Sequence, residues 1–241
     1  MDKELIPISE AAVLLGVSIT TLRRWDENGK FPAIRKTIEG NRYYSKRDIE
    51  VYLNDLFKIG RDWVFNATEL PNQNYCPNSA VFQARLGNMQ SALGNSNNKE
   101  IQGIFPLVVA VAGEIGNNSF DHNLGNWPDI PGIFFAYDLN KRQVVLADRG
   151  QGILHTLKRV RTELKTDETA LKVAFTEMVS GRAPESRGNG LKFVKKVVME
   201  NLVGLYFQTG NAELDLKRDS SDLHIRNAGN YFRGCMAVIT F

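Results

Sequence analysis

The feature that most constrains this chain is the run from Val144 to Ile153, in which Val144, Val145, Leu146 and Ala147 give way to Asp148, Arg149, Gly150, Gln151 and Gly152. An apolar, β-branched run of this length reads as a buried strand. Asp148 then stands at the strand's end, where a carboxylate faces a cleft and not the core. Gly150 and Gly152 let the backbone take positive φ and approach a ligand closely. In isolation the same residues are equally well read as a strand, a turn and a helix capped by Asp148.

Two other stretches bear on that choice. Upstream, Leu107, Val108, Val111 and Ile115 form an apolar stripe at helical spacing over 104–123. Glu114, Asn118 and Asp121 follow at i, i+4 and i+7 and line one edge of it. Asn117, Asn118, Ser119, Asp121 and Asn123 are poor helix formers, so their concentration here favours a polar pocket rim over a plain surface. Downstream, Arg187, Gly188, Asn189, Gly190 and Leu191 make a glycine turn that opens an amphipathic helix. Uncovered amides at a helix N-terminus suit phosphate oxygens.

Taken together and in this order, Glu114 to His122, Asp148 to Ile153 and Arg187 to Leu191 resemble the asparagine box and the two glycine boxes of the GHKL (Bergerat-fold) ATP-binding domain. Gyrase, mismatch-repair ATPases and sensor histidine kinases share that domain. Phe232 to Phe241 resembles its closing strand. The resemblance covers residues 79–241 and implies a two-layer α/β sandwich with helices on one face of a mixed, mainly antiparallel sheet. It further implies ATP and Mg²⁺ as ligands. Asp148 would take the adenine amino group, Ile153 and Leu191 would line the base slot, and Asn118 would bind the metal through its amide oxygen. Gly150, Gly152, Gly188, Asn189, Gly190, Asp121 and His122 fall at nucleotide-binding positions. Glu114 is the candidate general base, and a helix carboxylate in an ion pair is the alternative. Residues 153–187 correspond to the family's lid, with Arg182 and Arg187 as candidates for the γ-phosphate. No Gly-x-x-x-x-Gly-Lys-[Ser/Thr] occurs, which excludes P-loop chemistry, and the glycine spacing disfavours a Rossmann site.

The positive charge gathers near the start of the chain. Residues 20–47 hold eight basic side chains against three acidic ones, whereas the whole chain of 241 residues carries only +3. Residues 8–18 predict a short helix with Ser9 as N-cap and Gly16 at its end. Ser18 then caps a second helix up to Asn28, stopped by Gly29. Two short helices with a glycine turn are the helix-turn-helix pattern, whose second helix enters the major groove. Phe31 to Thr37 and Asn41 to Tyr44 predict a basic hairpin, and Ser45 caps a last helix expected from Lys46 to about Leu56, over by Ile59 and Gly60. Residues 5–54 resemble the winged helix-turn-helix of the MerR and phage-excisionase families, through Glu10 to Ala12, Gly16 to Ser18, Leu22 to Trp25 and Asn41 to Ser45. The candidate contacts to double-stranded DNA are Ser18, Thr20, Thr21, Arg23 and Arg24 on the helix and Arg35, Lys36, Arg42 and Tyr43 on the wing.

The expected organisation is therefore α+β, with a winged helix-turn-helix at 1–59, a linker at 60–78 and the ATP-binding domain at 79–241. Four short strands are expected at 202–208, 214–218, 223–226 and 236–241. Two cysteines and three histidines lack metal-ligand spacing, so no zinc site and a reduced cytoplasmic setting are expected. No apolar run reaches the ~20 residues that span a membrane. The resulting function is an ATP-binding, potentially ATP-hydrolysing, DNA-binding transcriptional regulator, with a companion protein or a homodimer left open. A serine kinase of the anti-sigma type and a non-catalytic accessory protein of a mobile or phage-related element are the alternatives. A histidine autokinase is disfavoured because the first histidine is His122, inside the asparagine box.

Overall fold

The computed structural model describes residues 4–37, 40–53, 55–67, 69–178, 190–220 and 222–241. The chain divides into two compact units, Met1–Tyr75 and Cys76–Phe241.

In the first unit, β1 (Leu5–Pro7) runs straight into α1 (Ile8–Leu15), and α2 (Ile19–Glu27) follows after a tight turn. The N-cap of α1 is Pro7, not the expected Ser9: β1 brings the chain in extended, and the proline ring fixes a φ of −70° at the helix entrance. Gly16 ends α1 in the left-handed conformation at φ 66°. Ser18 caps α2 by accepting the Thr21 amide at 3.0 Å. β2 (Arg35–Lys36) and β3 (Arg42–Ser45) form the expected antiparallel wing, and β1 adds to its other side to give the order β1-β3-β2. Ser45 caps α3 (Lys46–Leu53) by accepting the Asp48 amide at 3.1 Å. Leu15, Leu22, Trp25, Phe31, Tyr44 and Ile49 are buried together as its core, with Tyr52 packed edge-on against Phe31.

The expected linker at 60–78 is largely structured. A helix α4 (Leu56–Asn66) replaces the predicted end at Ile59 and Gly60, because Asp55 caps a new start and Ile59, Gly60, Trp63 and Val64 are buried. A short 3-10 turn at Asn72–Asn74 follows, and the unit boundary falls after Tyr75. Lost periodicity in the sequence marked irregular but packed backbone, which pattern alone does not distinguish from coil.

The recognition helix and the wing are joined by Asp26. Its buried carboxylate accepts from the Ala33 amide at 2.9 Å and Arg42 Nε at 2.6 Å, and pairs with Lys36 Nζ at 2.9 Å. Burial pushes its pKa up, but these donors more than offset that and hold it at about 2.

In the second unit, β4 (Tyr75–Cys76), α5 (Ser79–Gly94) and α6 (Lys99–Asn123) lead into the hairpin β5 (Ile133–Asp138) and β6 (Gln143–Asp148). Then come α7 (Gly152–Leu157), α8 (Asp167–Thr176), α9 (Gly190–Glu200), β7 (Gly204–Leu216) and β8 (His224–Thr240). The sheet order is β4-β5-β6-β8-β7, and the pairs β5–β6, β6–β8 and β7–β8 are antiparallel. Helices pack on the sheet through one continuous core that includes Phe82, Val108, Val111, Ile115, Phe135, Leu146, Leu171, Phe175, Val194 and Phe207. This is a helix layer on an antiparallel sheet, as the α+β reading expected. Instead of four short strands the C-terminal region makes two long ones. The predicted breaks are a bulge at Gly210, whose φ is 55°, so one strand bends without ending. Helix α6 also starts five residues earlier than expected, capped by Asn98, and carries Pro106 inside it.

Close packing sets the spacing between α5 and α6: a methyl group at Gly116 would lie 2.2 Å from the buried Phe82 ring. Gly116→Ala should therefore destabilise the fold by about 1–3 kcal/mol through overpacking, seen as a lower melting temperature, although alanine is the better helix former. Asp26 gives a pH-dependent counterpart. A carboxyl held below its unfolded value contributes stability that is complete above about pH 4 and is lost as pH falls through 2. Asp26→Asn should cost about 2 kcal/mol at neutral pH, with the gap to wild type closing between pH 4 and 2. Native-state hydrogen exchange at the α2 amides measures that gap.

Candidate functional site

Strand β6 ends where the sequence suggested, and Asp148 is 2% exposed. One carboxylate oxygen accepts the Gly150 amide at 2.8 Å and the Cys235 amide at 3.3 Å, and the other accepts the Ser119 hydroxyl at 2.7 Å. Burial pushes the Asp148 pKa up, and these three donors pull it the other way. The backbone comes close around it. A methyl group at Gly150 would lie 2.2 Å from Asn123 Nδ2, and one at Gly234, where φ is +77°, 2.2 Å from the Asp148 carbonyl oxygen. Both positions require glycine.

The loop after β6 is pinned from several sides. Asn123 Oδ1 accepts the Gln151 amide at 2.8 Å, while its Nδ2 donates to the Ser119 carbonyl at 2.8 Å. Arg149 is buried and bonds Asp129 through Nε and a terminal nitrogen, and Arg233 reaches the same carboxylate at 2.8 Å. Burial and the Asp129 pairing make this a positioning cluster beneath the loop.

Above Asp148 lies a cleft with a cavity volume of about 100 Å³ that opens to solvent. Asn118, His122, Asp148, Gly152, Ile153, Gly190 and Leu191 all line it, so α6, the β6 loop and the start of α9 converge on one cavity. Glu114 joins through Asn118, whose Nδ2 donates to Glu114 Oε1 at 3.4 Å, and the same carboxylate closes against Gly190. Gly150 sits under the floor, with its amide on Asp148. Asp121 is exposed and is not on the cleft wall. Gly188 and Asn189, with Arg182 and Arg187, lie outside the described residues. His122 is half-buried in the wall with Nδ1 unpartnered; burial and the neighbouring Arg159 lower its pKa. Among the described residues no cluster of His, Cys, Asp and Glu fits a metal ion.

Sequence reasoning missed Thr209 and Cys235. Thr209 Oγ1 accepts the Ile153 amide at 3.2 Å and donates to the Gly234 carbonyl at 2.9 Å, and Cys235 lines the cleft beside Asp148. They sit on β7 and β8, past the last of the boxes, and no local pattern marks them.

On the first unit, Thr20, Arg23, Arg24, Arg35 and Lys36 are exposed on α2 and the wing. Three expected DNA contacts are committed elsewhere. Ser18 is the helix cap. Thr21 is 2% exposed and bonds Ser18 and Glu69. Arg42, with a side chain only 17% exposed, holds Asp26 and Glu27. Arg35 stacks over Tyr43 at 4.5 Å, which leaves that ring half-buried beneath a cation.

This arrangement has a counterpart among known families: residues 7–44 match the model described as MerR family regulatory protein. The first unit carries a MerR-family helix-turn-helix domain. This DNA-binding domain occupies the part of the chain where charge and capping pattern had placed it. A second likeness is to the Type II methyltransferase M.Eco47II of Escherichia coli, 36% identical over 75 residues. That alignment takes in 31% of this chain and 18% of the methyltransferase, so the chain spans about a fifth of that relative's length. Among the described residues, no helix is long and apolar enough to cross a membrane.

Proposed function

We propose that this chain is a transcriptional regulator whose MerR-type unit binds duplex DNA and whose second unit binds ATP with Mg²⁺ in the manner of the GHKL domains it resembles. The observation that carries the nucleotide half is the convergence of Asn118, Asp148, Gly152, Ile153, Gly190 and Leu191 on one cleft with a buried carboxylate at its floor.

The residues present fit such a ligand. Ile153, Leu157, Leu191 and Phe207 give apolar walls for a flat base. Asp148 already holds the Ser119 proton, so it and the Ser119 oxygen face the cleft as acceptors, which suits an exocyclic amine. Gly190 places the first turn of an 11-residue helix at the wall, where the dipole favours phosphate. Asn118 gives its Nδ2 to Glu114 and keeps its amide oxygen, a hard donor suited to Mg²⁺. When bound, the metal would neutralise charge on the phosphates. Glu114, a turn before Asn118, is the group placed to accept a proton from water beside that ligand. Nucleotide state would then control DNA binding or partner assembly. The likeness to a methyltransferase covers too little of that protein to bring its reaction here.

Calorimetric titration with a non-hydrolysable ATP analogue and Mg²⁺ tests the reading. Wild type should bind. Asp148→Asn should stay folded, since the amide oxygen still accepts from Gly150 and Cys235, yet lose binding at least about a hundredfold through the changed edge chemistry. Glu114→Ala should bind normally and lose any turnover. Normal binding by Asp148→Asn would refute the pocket assignment. Arg23→Ala should weaken duplex binding about tenfold and leave the titration unaltered.

A further inference from the structure

The polypeptide beyond α4 returns to the helix-turn-helix. A methyl group at Gly16, in the turn between α1 and α2, would lie 3.0 Å from Gln73 Oε1 and 3.4 Å from Pro71 Cβ, so this segment lies against that turn. The 3-10 turn at Asn72–Asn74 shapes it, with the Asn74 amide on the Pro71 carbonyl at 2.9 Å. Just before this anchor, Glu69 reaches α2. One of its oxygens accepts the buried Thr21 hydroxyl, and the other accepts Arg24 at 3.2 Å. Thr21 in turn shares a 2.8 Å hydrogen bond with Ser18, the helix cap. A carboxylate is thus bonded to two side chains of α2, the buried Thr21 and the exposed Arg24.

We propose that Glu69 is a positioning residue of the DNA interface that competes with backbone phosphate for Arg24. This rests on the DNA-binding reading of the first unit. On α2, Thr20 and Arg23 occupy the outward face, three residues apart, whereas Thr21 and Arg24 form the adjoining flank that Glu69 covers. With Glu69 in place, the guanidinium of Arg24 is already neutralised and contributes little to counterion release. The Arg24 and Glu69 side chains are 57% and 54% exposed, so their attraction is weak and screened. Glu69 therefore lowers duplex affinity by a small factor, by keeping Arg24 off the phosphate backbone, and does not abolish binding.

The test is binding of a mixed-sequence duplex by fluorescence anisotropy over a salt series, using the full chain. Glu69→Gln should bind up to about fivefold tighter at low salt. Its plot of log affinity against log salt should be steeper by about 0.9, one extra phosphate contact. Arg24→Ala in the Glu69→Gln background should remove that increment, while Arg24→Ala alone should leave the wild-type slope nearly unchanged. Circular dichroism and melting establish that each variant is folded. An unchanged slope in folded Glu69→Gln would overturn the proposal, as would an equal loss of slope on removing Arg24 with or without Glu69. Absence of binding by every variant would instead refute the DNA-binding reading, and the proposal with it. Retained wild-type binding with no Glu69 effect refutes the proposal alone.

Discussion

The second unit is organised around one buried carboxylate. An ionisable group this deep is costly unless its oxygens are met by donors, and Asp148 meets this requirement with groups from three segments: Ser119 on α6, Gly150 in the following loop and Cys235 on β8. Each donor must arrive within hydrogen-bonding distance, which fixes the register of β6 against β8 and the height of α6 over the sheet. The glycine at 234 follows from the same constraint, because a side chain there would run into Asp148 itself, whereas one at 150 would meet Asn123. The cleft is what remains above this arrangement, so its polar floor is inherited from the packing beneath it.

The first unit is held by an analogous device with a different environment. Asp26 ties α2 to the wing through Ala33, Arg42 and Lys36. The pKa values of the two carboxylates are shifted in opposite directions because their partners differ. Cations and an amide surround Asp26 and depress its pKa, while Asp148 has only neutral donors and burial dominates. A depressed carboxyl serves as a permanent structural anion. A buried acceptor without a cation is suited to recognising a neutral donor edge, which is the chemistry of a base.

Much of this was legible in residues close together in the chain. Ser18 before Thr21 and Ser45 before Asp48 announced helix starts, since capping involves residues two or three apart. The apolar run into Asp148 announced a strand that ends at a site. Pairings between distant segments were not legible. Thr21 and Arg42 have the composition of DNA contacts, yet Glu69 and Asp26 claim them, and neither pairing has a periodic signature. Asp121 shares the spacing of Glu114 and Asn118 but is exposed, while the next residues, His122 and Asn123, line the cleft. Residues 60–78, with Trp63, Val64, Phe65 and Tyr75, are too apolar for free coil, and no periodicity shows where they pack.

Sequence alone determined the local elements: two glycine-bounded short helices, an asparagine-rich helix edge, and strands closed by Asp148 and Gly150, each governed by φ, ψ preferences and side chains a few residues apart. Tertiary structure alone decided which polar groups face outward and which satisfy one another inside. That decision depends on approach between segments dozens of residues apart, where burial, and not propensity, sets the energy. Thr209 and Cys235 became neighbours of Asp148, and Glu69 a neighbour of Arg24, only because sheet closure and core packing carried them there.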